Sequence, residues 1–169
     1  ENLQVLWLGK VVLAKGIQYL AEAAQKLKDR DIDFLIVGPV GVSRRAVESS
    51  PSNMKFLGRV PRSETSTYYR DADVFVLPTL SDGFAITQLE AMTYGLPVIT
   101  TLNCGRVVTD GHDGRIIPPR DSDALADVLL DLSLNYDKVK RMSSQAKKTA
   151  KSYSLNRVAD RLFDVVKKK

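Results

Sequence analysis

Asp82 and Glu90 form an acidic pair within Ser81-Asp82-Gly83-Phe84-Ala85-Ile86-Thr87-Gln88-Leu89-Glu90-Ala91-Met92, and Gly95-Leu96-Pro97-Val98 follows closely. The apolar run Val74-Phe75-Val76-Leu77 reads as a strand, and a helical pattern begins near Ala85. Gly83, Phe84, Ala85, Ile86 and Thr87 therefore present backbone N–H groups where a helix opens. Free amides at that position favour anions, and phosphate is the commonest biological one. Carboxylates repel phosphate, so the natural partners of Asp82 and Glu90 are neutral hydroxyls beside it. Phosphates flanked by hydroxyls describe a nucleotide sugar. A second group, Gly9-Lys10 and Lys15-Gly16, places two cations after another strand.

From Asp82 to Val98 the chain reads D-G-F-A-I-T-Q-L-E-A-M-T-Y-G-L-P-V. This resembles the pattern E-G-F-G-x-x-x-x-E-A-M-x-x-G-x-P-V of the GT-B retaining glycosyltransferases of the glycogen-synthase-like family 4, the group 1 glycosyltransferases. The resemblance is to their C-terminal, donor-binding half and extends from about Gly9 to Lys169. Asp82 stands where that family usually has Glu, and Ala85 where it has a second Gly. Gly9-Lys10-Val11-Val12-Leu13-Ala14-Lys15-Gly16 is similar to the family's G-R-x-x-x-x-K-G, with Lys10 in place of arginine. Lysine supplies the charge of arginine but not its bidentate fork.

The resemblance implies roles residue by residue. Lys10 and Lys15 would grip the donor diphosphate and stabilise it as negative charge builds during sugar transfer. Asp82 would lie near the transferred sugar, binding a hydroxyl or stabilising the anomeric carbon; as an ordinary side chain it would instead cap the helix. Glu90 would clamp the two ribose hydroxyls. Gly9 and the segment Gly83–Thr87 would approach the donor with backbone, while Phe84 is also suited to packing. Gly58-Arg59-Val60-Pro61 matches the segment beside the nucleobase, with Arg59 and Val60 offering backbone groups.

The implied reaction is metal-independent transfer, with retention, from a UDP-, GDP- or ADP-sugar to a glycan, lipid or small-molecule acceptor. No cofactor is expected, and no metal ligand set: no D-x-D motif is read, no H-E-x-x-H and no cysteine pair. GT-B enzymes need two Rossmann-like domains, so residues 1–169 are expected to be one domain whose acceptor-binding partner precedes it. Such a piece should bind donor weakly and transfer nothing alone. The alternative is a non-catalytic nucleotide-sugar-binding or interaction module that kept the half-fold.

The elements that must position these residues alternate between strand and helix, the pattern of an α/β, doubly wound, Rossmann-like parallel sheet. Strands are expected at Leu3–Leu8, Asp33–Val37, Met54–Leu57, Val74–Leu77, Pro97–Thr100 and Arg115–Ile117. Helices are expected at Ile17–Lys28, Val42–Glu48, Ser63–Tyr69 with Ser63 as cap, Ile86–Tyr94, and Asp121–Leu132 with Ser122 or Asp123 as cap. From Tyr136 the chain reads as helix, broken near Tyr153-Ser154. Gly9, Gly38, Gly58, Asp82 and Thr101 all follow strands, where such sheets bind ligands.

Composition agrees with one core: 169 residues, 44% hydrophobic. No apolar run approaches the ~20 residues of a membrane span. The net charge of +5 gathers toward the C-terminus, where Asp137, Asp160 and Asp164 are interspersed. Aromatic residues do not interleave with the basic ones, so no nucleic-acid partner is expected. Peripheral contact with a membrane surface stays open. With a single cysteine, Cys104, and nothing at residues 1–30 that resembles a secretion signal, a cytoplasmic protein is expected. Cys104 reads as packing and His112 as a turn residue.

Overall fold

In the computed structural model, which describes residues 2–153, six strands pair in parallel in the order β3-β2-β1-β4-β5-β6. They are β1 (Leu3–Leu8), β2 (Ile32–Val37), β3 (Met54–Gly58), β4 (Val74–Leu77), β5 (Val98–Thr100) and β6 (Gly114–Ile116). Helices α1 (Ile17–Lys26), α2 (Arg44–Glu48), α3 (Thr65–Asp71), α4 (Ile86–Thr93), α5 (Ser122–Leu134) and α6 (Tyr136–Ser152) connect and follow them.

Central strands need apolar residues on both faces, and β4 (Val-Phe-Val-Leu) is buried at every position. Leu6, Trp7, Phe34, Ile36 and Ile99 complete the middle of the sheet. On α1, Ile17, Leu20, Ala23 and Ala24 make the buried stripe, and α6 buries Val139, Met142 and Ala146. The strand order reverses between β1 and β4. At such a reversal the following connections depart to opposite faces and leave a crevice at the carboxyl ends. The loop of Gly9 and Lys15 and the loop of Asp82 border that crevice.

Boundaries differ from expectation where side chains intervene. Ser63 caps nothing: it lies in a 3-10 turn, Arg62–Glu64, and α3 starts afterwards without a side-chain cap. Asp121, rather than Ser122 or Asp123, caps α5, accepting from the Ala124 amide at 2.8 Å. Ser122 is instead buried and accepts from Lys26 Nζ at 2.9 Å. α1 stops at Lys26, where Asn53 Nδ2 donates to Ala24 O at 3.2 Å. β6 starts at Gly114, which pairs with Val98 so closely that a Cβ on it would lie 2.0 Å from Val98 O. α6 ends at Ser152, next to the expected break at Tyr153. The expected helix beyond it, with Arg157, Arg161 and Lys167–Lys169, lies outside the described residues.

Candidate functional site

Two loops meet at the crevice because their backbones hydrogen-bond directly. Leu80 N and Ser81 N donate to Ala14 O at 2.9 and 3.2 Å. Lys15 is thereby brought to Asp82: its Nζ lies 3.3 Å from Asp82 Oδ2, with side-chain exposures of 27% and 17%. That contact is an ion pair without hydrogen-bond alignment, since Oδ2 is buried and takes no hydrogen bond. Gly9 adjoins the same ammonium, as a methyl group on it would sit 3.6 Å from Lys15 Nζ. Lys10 is exposed and makes no ion pair among the described residues. The two lysines are therefore unequal, one fixed and one free.

The amides expected to face a ligand take no acceptor among the described residues: Gly83, Phe84, Ala85, Ile86 and Thr87. Asp82 is not the helix cap. Ala85 holds that position in the left-handed conformation, φ 52 and ψ 67, with no side-chain cap. Glycine adopts this conformation freely, while an L-residue is strained there by about 1–2 kcal/mol. The methyl group of Ala85 thus strains the turn. Ala85→Gly is expected to raise the unfolding free energy by up to about 1 kcal/mol, relief of strain outweighing glycine's unfolded-state entropy. Urea denaturation measures this; a loss of stability would show that methyl packing dominates.

Glu90 sits on α4 facing α3. Its Oε2 accepts from the Tyr69 hydroxyl at 3.0 Å, and Arg62 Nη2 lies 3.9 Å from Oε1. Tyr69 is itself buried and stacked on Tyr94, ring centroids 5.2 Å apart and 9° from parallel. Burial first, then the neighbouring Glu90 charge, pushes the Tyr69 hydroxyl far above its ordinary range, so it remains a donor. A carboxylate oxygen accepts at two sites, so Glu90 keeps capacity for a ligand hydroxyl at Oε1. Sequence reasoning missed Tyr69, whose helical spacing reads as core.

Across the sheet, Gly38 N donates to Gly58 O at 2.8 Å, which joins the Gly58–Pro61 segment to the same end. Arg59 is exposed there, and Val60 packs partly against the core. Thr87 is half-buried, and Phe84 is exposed with its ring 6.4 Å from that of Tyr153. Cys104 lies under the Asp82 loop, 3.3 Å from Thr100 Oγ1. Burial raises its thiol, which keeps it protonated and inert, as a packing role requires. His112 lies in a turn, its amide donating to Thr109 O at 3.0 Å.

A concavity of about 810 Å³ lies at the opposite end of the strands, where Asp33, Asp71 and Asp73 line it and disfavour phosphate. Asp-x-Asp triplets do occur, at residues 29–33, 71–73 and 121–123, and none belongs to the crevice. Among the described residues no group of His, Cys, Asp or Glu is arranged to hold a metal ion. None of the described helices is long and apolar enough to cross a membrane.

Residues 2–135 match the family described as Glycosyl transferases group 1. The chain belongs to that family. Among group 1 relatives, phosphatidyl-myo-inositol mannosyltransferase of Mycolicibacterium smegmatis is 34% identical over 140 residues, 78% of this chain and 36% of that one. D-inositol 3-phosphate glycosyltransferase of Streptomyces coelicolor is 28% identical over 165 residues, 91% of this chain and 36% of that one. This group 1 chain spans between 34% and 46% of the length of such relatives. Its fold superposes on sucrose-phosphate synthase from Thermosynechococcus elongatus with TM-score 0.85 at 22% identity, covering 99% of this chain and 45% of that one. HepE of Anabaena, solved in complex with UDP, gives 0.83 at 19%, covering 99% and 49%. The sheet is thus the Rossmann-like half of a GT-B fold.

Proposed function

We propose that this domain holds the nucleotide sugar donor of a retaining glycosyltransferase. The observation that carries the proposal is the meeting of Lys15, Asp82 and the unpaired amides of Gly83–Thr87 at the β1/β4 reversal. Cations and preorganised amides stabilise a departing diphosphate, and they do so best where water is excluded. Lys10, Lys15 and the helix amides supply that charge in the proposed reaction, without a metal ion. Asp82 takes a hydroxyl of the transferred sugar, Glu90 the ribose hydroxyls, and Arg59 and Val60 the base edge. HepE was solved with UDP, which favours a nucleoside diphosphate at the corresponding end of this sheet.

Leu13, Val40, Phe84, Ile86 and Leu102 are exposed apolar residues that all follow strands at this end. Such a rim suits a facing domain that closes over the donor and brings an acceptor. The whole enzyme is therefore proposed to transfer the sugar, and this half to bind the donor.

Titration calorimetry of the chain with UDP, GDP and ADP, without metal, tests the proposal. One of them binds saturably, and Glu90→Ala weakens it by about tenfold or more, the worth of hydrogen bonds to a carboxylate. Binding unchanged by Glu90→Ala would remove Glu90 from the site.

A further inference from the structure

Gln88 carries none of the roles assigned above, yet its side chain is fully buried beneath the amide cradle. α4 turns it into the gap between the loop of Gly83–Ala85 and the loop of Asn103–Gly105. Its Nε2 donates to Phe84 O at 2.6 Å and to Gly105 O at 3.0 Å, and lies 4.0 Å from Cys104 Sγ. Two carbonyl acceptors decide which end of the amide is nitrogen, since an oxygen there would have no donor to meet. Oε1 consequently points elsewhere and is buried without a partner. An orphaned acceptor is costly, and leucine would fill the same volume without one.

Peptide geometry shows what those bonds accomplish. The described chain has no cis peptide, and across a trans peptide the C=O and the following N–H point to opposite sides. Drawing Phe84 C=O down to Gln88 aims the Ala85 N–H away from it. Gly105 N draws Gly83 C=O the same way at 2.8 Å, which aims the Phe84 N–H likewise. Left-handed Ala85 then turns the chain into α4, so successive amides converge as in an anion-binding nest.

We infer that Gln88 is a positioning residue that aims the Phe84 and Ala85 amides at the donor's distal phosphate by pinning the two loops together. The inference rests on the donor-binding reading above. It predicts a defect specific to that phosphate, which a residue that only fills volume would not give.

The test compares wild type with Gln88→Leu and Gln88→Glu, using whichever of UDP, GDP and ADP binds best and its monophosphate. In Gln88→Leu the diphosphate binds about tenfold or more weakly, while the monophosphate changes little. In Gln88→Glu the defect relative to wild type narrows as pH falls, because a protonated carboxyl regains one O–H donor. Gln88→Leu shows no such dependence. Gln88→Met, equally lacking the donor, replaces it if the leucine variant does not fold. Amide hydrogen exchange gives an arm that needs no ligand: Gly105 and Asp82 N–H exchange faster in Gln88→Leu, while β4 and β5 amides stay protected. Diphosphate binding and Gly105 exchange both equal to wild type would overturn the inference. If wild type binds no diphosphate, the donor reading falls and the aiming role with it, and the exchange result alone then says whether the loops are pinned.

Discussion

Lys15→Ala binds nucleoside diphosphate about 10–100-fold more weakly than wild type, the value of one charge-assisted contact removed from a partly desolvated site. Lys10→Ala costs less. Lys10 is exposed and must be ordered when the ligand arrives, whereas Lys15 is held beside Gly9 and Asp82 beforehand. Removing Lys15 also leaves Asp82 Oδ2, already buried, without its counter-charge 3.3 Å away. An uncompensated group of that kind costs about 1–3 kcal/mol, so the thermal midpoint of Lys15→Ala falls as well. The double variant Lys15→Ala/Asp82→Asn recovers the midpoint, since a neutral amide no longer needs the ammonium, but it does not recover affinity. Calorimetry and thermal unfolding on the three variants separate the two roles through their coupling. Equal affinities for wild type and Lys15→Ala would take Lys15 out of the donor site.

The strands were legible because burial on both faces imposes uninterrupted apolar runs, as in Val74–Leu77, and because glycines end them at Gly9, Gly38 and Gly58. Their alternation with helices, with Gly9 and Asp82 each following a strand, was enough to expect the loops of Lys15 and Asp82 at one end of the sheet. What the sequence left hidden depends on loops that meet only in space. Asp82 can also be read as a helix cap until the structure puts Ala85 at that position and the β1 loop brings Lys15 to Asp82. Ala85 reads only as a methyl group added where the family has a second Gly until its backbone is seen at φ 52. Tyr69 and Gln88 read as ordinary helix residues, since their partners Glu90 and Gly105 lie 21 and 17 positions away. Ser63, just after Pro61, has the residue type of a helix cap, yet the chain there forms a 3-10 turn first.

Gly16→Ala is expected to destabilise the fold by about 3–5 kcal/mol, combining left-handed strain with overpacking against rigid backbone. Gly16 has φ 80, and a Cβ on it would stand 1.9 Å from Pro78 O and 2.8 Å from Pro78 C. Neither atom can yield as a side chain would, because Pro78 continues directly from β4. Gly58→Ala supplies the control: its φ is 71 but nothing lies within 4 Å of the added carbon, so it bears only the strain, about 1–2 kcal/mol. The gap between the two variants in urea denaturation therefore measures how closely the β1 and β4 loops are pressed together. The same approach sets the hydrogen bonds of Leu80 and Ser81 to Ala14 and, through them, the position of Lys15 beside Asp82. At temperatures where Gly16→Ala is still folded, it should consequently bind diphosphate less well, although residue 16 offers a ligand no side chain. Equal destabilisation by the two variants would mean that the loops can part at little cost, and that Lys15 and Asp82 are not held in place before the donor binds.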